Sequence, residues 1–314
     1  MPSSPALEVS GLVKDFGPVS ALDGKMVRVL DGVTLQAHRG RVTTLLGANG
    51  AGKTTTLECA QGLQKPTGGR VRLLGEDPWH AGAGLRSRVG IMLQEGGLPP
   101  AVRPLALLRH VAGMYEAPRS VDALAERLGI DSFAGTTVRR LSGGQKQRLA
   151  LACALVGNPE VIFLDEPSAG LDPQSRSIVF DLINELRSEG LAIILTTHLL
   201  DDAQKLADYV YIVDKGRTVR HGTVAELTAH AADAARELRF EASPGLALPA
   251  SRLPGVQVSE ATPGSYRLSG ALTPRELAVL ASWWAEEGIM PASITLTSRS
   301  LEDVFLDISG RSAR

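Results

Sequence analysis

The chain carries Gly47-Ala48-Asn49-Gly50-Ala51-Gly52-Lys53-Thr54: a glycine, four residues, then Gly-Lys-Thr. The apolar, β-branched run just before it, residues 41–46, reads as a buried strand, and residues 54–60 read as the first turns of a helix. A strand that turns sharply into a helix aims free N–H groups and the positive end of the helix dipole at one spot. Glycines let the backbone wrap an anion with no Cβ in the way. Lys53 adds a full positive charge, and the Thr54 hydroxyl stands within reach of a Mg²⁺ ion. Spacing, strand and helix all agree, so the stretch is read as a phosphate-binding loop and not as an ordinary glycine-rich turn.

A second string with the same physics is Leu141-Ser142-Gly143-Gly144-Gln145, which opens a helical stretch running to Val156. Ser142 alone would be a plain N-cap. A cap needs no Gly-Gly-Gln, so the string predicts a second anion site at a helix start. Further on, Val161-Ile162-Phe163-Leu164 leads into Asp165-Glu166. A buried strand ending in two acids delivers both to the edge of a parallel sheet, where ligands bind in open α/β folds. Asp165 fits a Mg²⁺-holding acid and Glu166 a general base for an attacking water. Asp172 before Pro173 caps the next helix. His198, after the strand Leu191 to Thr197, is a candidate γ-phosphate sensor. Gln94, ending another strand, could reach a phosphate site, and Phe16 could stack on a nucleobase.

These residues must be positioned by an ordered set of elements. Residues 7–14 read as an edge strand, closed by a turn at Gly17-Pro18. Ala21-Leu22-Asp23-Gly24 and Val29-Leu30-Asp31-Gly32 form a near-repeat; each Asp-Gly favours a turn, giving either a hairpin extension or a solvated loop. Strands follow at residues 70–75 and 89–94. Leu105, Leu108, Val111 and Ala112, then Val121, Leu124, Ala125 and Leu128, recur at helical spacing and mark an inserted helical subdomain at about 95–158. Residues 208–213 and 217–222 pair around Lys215-Gly216. Beyond about residue 231, prolines and glycines break up short strands at 237–240 and 265–268. A helix bearing Leu277, Leu280, Trp283 and Trp284 and a last strand near Ile294 follow. That region has no catalytic constellation, and its tryptophans read as core.

At 314 residues the chain can bury a sizeable core and hold two domains. A net charge of −1 gives no basic excess to favour nucleic acid as a partner, and 44% hydrophobic with 4% aromatic residues fits a soluble α/β protein. Cys59 and Cys153 lack metal-ligand spacing and read as small buried residues of a reducing compartment. The N-terminus has no secretory pattern and the longest apolar run is strand length, so the reading is cytoplasmic.

With Gln94, residues 141–145, Asp165-Glu166, residues 168–172 and His198 all in order, the chain resembles the ATPase subunit of an ATP-binding-cassette (ABC) transporter over roughly residues 7–227. Ser300-Leu301-Glu302-Asp303-Val304-Phe305-Leu306 resembles the C-terminal motif of bacterial drug- and antibiotic-export ATPases of the daunorubicin-resistance type, whose membrane subunit is a separate chain. The resemblance implies an α/β P-loop nucleotide hydrolase: a mostly parallel sheet, an antiparallel edge subdomain, the inserted helices and a small α+β appendage. It implies an ATPase domain at 1–230 and an appendage at 231–314. ATP and Mg²⁺ are the implied cofactors. Gly47, Asn49, Gly50, Ala51, Gly52, Lys53, Thr54 and Thr55 would hold the phosphates. Thr54, Gln94 and Asp165 would hold Mg²⁺; Glu166, His198, Gln94 and Lys53 would serve hydrolysis. Ser142, Gly143, Gly144 and Gln145, with Asp172, would cap the ATP bound by a second copy, and Phe16 stands where the family has an adenine-stacking aromatic. The implied partners are that second copy and a membrane permease, with no nucleic acid, at the cytoplasmic face of the membrane. The alternative is a soluble ABC ATPase of repair or translation. The stretch between Lys53 and Leu141 is too short for the long coiled coil of repair proteins, and translation factors carry two cassettes where this chain has one.

Overall fold

A computed structural model describes residues 4–19, 25–93, 97–229, 236–270, 272–297, 300–302, 304, 305 and 308. Elements are numbered in chain order. The chain separates into two compact units, Met1–Thr223 and Val224–Arg314. The division falls ahead of residue 230, so the short helix α8 (Val224–Ala229) goes with the second unit.

The first unit is built on a six-stranded sheet in the order β5-β6-β7-β3-β8-β9. These strands are β3 (Arg41–Leu46), β5 (Val89–Met92), β6 (Val161–Asp165), β7 (Ala192–Thr197), β8 (Tyr209–Asp214) and β9 (Arg217–Gly222). All neighbours run parallel except β9, which returns antiparallel to β8. Every residue of β6 and β7 is buried, as expected for central parallel strands covered on both faces. The two-residue period of a strand sends Ile162, Leu164, Ile193 and Leu195 to one core and Val161, Phe163, Ala192 and Ile194 to the other.

The first core is closed by α3 (Pro104–Ala112), α4 (Val121–Arg127), α5 (Gly143–Leu155) and α6 (Pro173–Ser188). The stripes expected from sequence lie in or against it: Leu108, Ala112, Leu124, Ala125 and Leu128 are buried, with Leu105, Val111 and Val121 packed beside them. The second core lies under α1 (Lys53–Ala60), the short α2 (Ala83–Arg86) and an antiparallel sheet β2-β1-β4. That sheet comprises β1 (Leu7–Val19), β2 (Lys25–Ala37) and β4 (Gly68–Leu73). Helix α7 (Leu200–Leu206) follows β7.

Two turn expectations fail here. The Gly17-Pro18 turn is absent, because β1 continues to Val19 against β2. β4 pairs with β1 only as far as Val13↔Gly68, so Pro18 costs no bond on that side, and a register shift between Phe16 and Val19 absorbs it. Asp31-Gly32 sits inside β2 and does not turn the chain; Asp31 is paired by Arg28 and Arg217. Of the two readings of the near-repeat the hairpin extension holds, since β1 and β2 pair antiparallel out to Val19↔Lys25. Ala21-Leu22-Asp23-Gly24 lies outside the described residues. Lys215-Gly216 does turn the chain, both with positive φ (47° and 74°).

The second unit is a four-stranded antiparallel sheet, β11-β12-β10-β13, of β10 (Arg236–Glu241), β11 (Val256–Thr262), β12 (Ser265–Gly270) and β13 (Ser293–Thr297). Helix α9 (Pro274–Glu286) covers one face, and Leu280, Trp283 and Trp284 are buried there. Phe240 stacks on Tyr266 at 4.9 Å between centroids and meets Trp284 edge-on at 5.0 Å, so the tryptophans are core as expected. Strand β11 was not expected; its Val-x-Val alternation is short and framed by Pro254, Gly255, Pro263 and Gly264.

Burial raises the Cys59 thiol to about 11 and that of Cys153 to about 12, which disfavours the reactive thiolate at neutral pH. Cys153 is only half-buried, against the expectation of full burial. Among the described residues, no helix is long and apolar enough to cross a membrane.

Candidate functional site

Strands β6, β7 and β3 are neighbours in the sheet, and their C-terminal ends carry Asp165-Glu166, His198 and the 47–52 loop respectively. The sheet order alone therefore brings three separate motifs of the sequence to one edge.

The loop is shaped by glycine where glycine is required. Gly50 and Gly52 have φ of 79° and 102°, a region that side chains avoid. A Cβ on Gly52 would lie 2.6 Å from Leu30 Cδ2 and 3.3 Å from Val29 O, so a side chain there would have to displace Leu30 of β2. Helix α1 begins at once at Lys53, with Gly52 as its N-cap and no side chain capping it. Its first N–H groups are left for a ligand. Asn49 and Gly50 are exposed, Ala51 and Gly52 buried, Thr54 exposed and Thr55 half-buried.

Lys53 is 7% exposed, and its Nζ donates to the carbonyls of Gly47 (2.8 Å) and Ala48 (3.2 Å). Burial pushes its ammonium below the ordinary range, against the opposing pull of Glu166 and Asp165. An incoming phosphate would supply the charge this buried cation lacks.

Asp165 is gripped from two sides. Thr54 Oγ1 donates to its Oδ2 at 3.3 Å, and Thr196 Oγ1 donates to its Oδ1. Glu166 is 4% exposed; among the described residues its Oε2 accepts no hydrogen bond, although His198 Nδ1 stands 2.9 Å away within ion-pair reach. Glu166 also has φ 52°, the left-handed region, which is uncommon for a residue with a side chain. Its N–H donates to Thr196 O and Oγ1 (3.2 and 3.3 Å), and its carbonyl accepts from Gln147 Nε2 at 2.8 Å.

Ser142 is the N-cap of α5. Its hydroxyl accepts from Gln145 N, and Gln145 Oε1 accepts from Ser142 N, a complete capping box. The expectation that a cap has no use for Gln145 is thus corrected: Gln145 is the third helical residue, where a capping box needs it. Ser142 and Gly143 remain exposed, and a Cβ on Gly144 would come 3.2 Å from Leu171 Cδ2. Asp172 caps α6, accepting from Ser175 N (2.9 Å) and Ser175 Oγ (2.7 Å). Among the described residues, no hydrogen bond or ion pair joins residues 142–145 to Lys53, Thr54 or Asp165.

Phe16 lies on β1, half-buried, with Lys14 Nζ 4.8 Å above its ring. Gln94 lies outside the described residues. Sequence reasoning missed Thr196 and Gln147, and also Asp202, which is buried and bound by Ser168 and Arg176. A threonine within a buried strand was the available signal for Thr196.

A family model described as "ABC transporter" matches residues 30–169. The daunorubicin resistance ATP-binding protein DrrA3 of Streptomyces coeruleorubidus is 35% identical over 98% of this chain and 97% of its own. The Nod factor export ATP-binding protein I of Ralstonia nicotianae is 34% identical over 99% and 96%. Among solved structures, the ATP-binding subunit of an ABC transporter superposes with a TM-score of 0.64 at 27% identity, covering 72% of this chain and 92% of that one. cbiO1 of Clostridium perfringens, part of the ABC transporter complex cbiONQ, gives 0.61 at 32% identity over 72% and 92%. Likeness running the length of the chain, on top of three motifs gathered at one sheet edge, makes this chain a member of the ABC transporter family, as one of its ATP-binding and ATP-hydrolysing components.

Proposed function

We propose that this ATPase energises a separately encoded membrane permease, and that the pair exports a drug, antibiotic or lipid-like compound. The observation that carries the catalytic part is the convergence of Lys53, Thr54, Asp165, Glu166 and His198 at the ends of β3, β6 and β7.

The loop residues Gly47, Asn49, Gly50, Ala51 and Gly52, with Lys53, Thr54 and Thr55 at the start of α1, bind the ATP phosphates through backbone N–H groups and the dipole. Lys53 exchanges its two carbonyl partners for the β- and γ-phosphates. Thr54 and Asp165 fit Mg²⁺: they are hard oxygen donors 3.3 Å apart and include a single carboxylate. Among the described residues no trio of His, Cys, Asp or Glu could hold a metal; Thr54 and Asp165 would hold the ion from this chain. When bound, Mg²⁺ neutralises charge on the phosphates. Gln94 is assigned to the same ion and to the water. Glu166 takes the proton of the attacking water at its carboxylate, and His198, 2.9 Å from Oε2, contacts the γ-phosphate while aiming that carboxylate. Phe16 stacks on the base.

The chain holds one phosphate loop and one Ser142-Gly143-Gly144-Gln145 turn. Two copies arranged head to tail complete two sites, each turn and its Asp172 closing over the ATP of the other copy. Phosphoryl transfer asks for positioning and charge stabilisation, and closure supplies both. Hydrolysis separates the copies and moves the permease.

The permease would dock at a hollow of about 410 Å³ beside α1, β5 and α5, lined by Gln61, Leu63, Leu85, Ile91, Tyr115 and Cys153. Leu63 is 53% exposed there. Docked at such a face, the chain is peripheral to the membrane. Export is supported by the relatives whose names speak of drug resistance or Nod factor export and whose likeness includes the second unit. The test is reconstitution with a candidate permease in inside-out vesicles. ATP-driven accumulation of a lipophilic drug is expected; equal accumulation without ATP hydrolysis would contradict the proposal.

A further inference from the structure

Glu166 is a residue in an unfavourable backbone state, and something must hold it there. Its φ of 52° is left-handed, where a side chain crowds the backbone. Its N–H is fixed by Thr196, a residue of β7 with strands on both sides. Its carbonyl accepts from Ala169 N (3.1 Å) within its own turn and from Gln147 Nε2 (2.8 Å). Only the last of these comes from α5. The sheet therefore clamps one side of the peptide, and the helix that begins at Ser142 clamps the other.

We propose that Gln147 is a positioning residue for Glu166, coupling the carboxylate to the helix start at Ser142. The proposal rests on Glu166 as general base. Gln147 lies five residues beyond the Ser142 cap, about 7.5 Å along the axis at ~1.5 Å per residue. The capping box makes the first turn of α5 rigid, and Leu149, Leu151, Ala152 and Leu155 bury the rest of the helix. A helix held in this way moves as a unit. Any shift of Ser142 and Gly143 toward a ligand reaches the Glu166 carbonyl through one hydrogen bond, and rotation of that peptide re-aims Oε2. Closing the turn on a nucleotide is thus linked to aiming the base in the same chain.

The test uses the full-length protein and MgATP. Gln147→Ala and Gln147→Glu should each lower kcat about 10- to 100-fold, the cost of a misplaced catalytic group. KM for ATP and the melting temperature should stay near wild type. Gln147→Glu keeps the shape but loses the donor while ionised. Its kcat relative to wild type should therefore recover as pH falls and the carboxyl regains an O–H. Combined with Glu166→Gln, either change should add no further loss, because both act through the same carboxylate. Multiplying losses in the double variant, or a KM that rises in step with any fall in kcat, would overturn the proposal. Wild-type turnover in Glu166→Gln alone would instead remove the general base, and so separates the two failures.

Discussion

His198 Nδ1 lies 2.9 Å from Glu166 Oε2, where β7 and β6 end side by side. The two groups differ sharply in access: the Glu166 side chain is 5% exposed and that of His198 47%. The imidazole is thus the solvent-facing member and the carboxylate the sheltered one. We expect His198→Ala to lower kcat by at least about 10-fold through lost positioning and to leave nucleotide binding near wild type. Equilibrium binding of a fluorescent ATP analogue, beside steady-state hydrolysis, separates the two.

Among the described residues, the Lys53 ammonium donates only to the loop's own carbonyls of Gly47 and Ala48. Lys53→Met keeps the buried stem and removes the charge. It should abolish measurable MgATP binding by calorimetry while leaving the fold, read by circular dichroism, intact.

Gly52 is constrained twice, by its φ of 102° and by Leu30 Cδ2, 2.6 Å from where a Cβ would stand. Gly52→Ala should cost about 1–3 kcal/mol in stability and weaken ATP binding, because the loop must open to relieve both. Chemical denaturation with and without ATP measures each.

Glu160, at the opposite end of the sheet, is paired with Arg88 and Arg39. The Arg88 hydrogen bond foremost, with Arg39 beside it, holds its carboxyl down to about 2. A carboxyl lowered on folding stabilises fully above its ordinary value near 4.5, and that contribution is lost as pH falls toward 2. Glu160→Gln should melt below wild type at pH 7, by about 1 kcal/mol given partial exposure, and the gap should close with acidification. Melting curves across that range check it.

Much of this site could be read from the sequence, and the parts that could not share one cause. Residues 47–54, 141–145 and 165–166 announce themselves because their chemistry is local: glycines, a cation and acids at fixed short spacing. Gln147 and Thr196 act on Glu166 from 19 and 30 residues away, and an amide or hydroxyl carries no local sign of so distant a partner. The turns misread at Gly17-Pro18 and Asp31-Gly32 have the opposite cause. Their local preference for turning is overridden by the pairing of β1 with β2, a tertiary contact no short window contains. Gln145 is an instance of over-reading, since a Ser-x-x-Gln capping box explains part of a string taken as pure anion site.

Ser142 and Gly143 are exposed at the start of α5, with room for a ligand contributed by another molecule. Ser142→Arg should therefore spare ATP binding by the single chain yet prevent ATP-dependent association. Light scattering with MgATP in a Glu166→Gln background, where hydrolysis cannot dissolve the pair, should show a dimer that Ser142→Arg lacks.

The central claim is that Glu166 is the general base at an edge shared by Lys53, Thr54, Asp165 and His198. Single-turnover hydrolysis of MgATP by Glu166→Gln tests it most directly. ATP affinity should stay unchanged and the rate fall by about 10²–10⁴-fold; hydrolysis at the wild-type rate would contradict this role of Glu166.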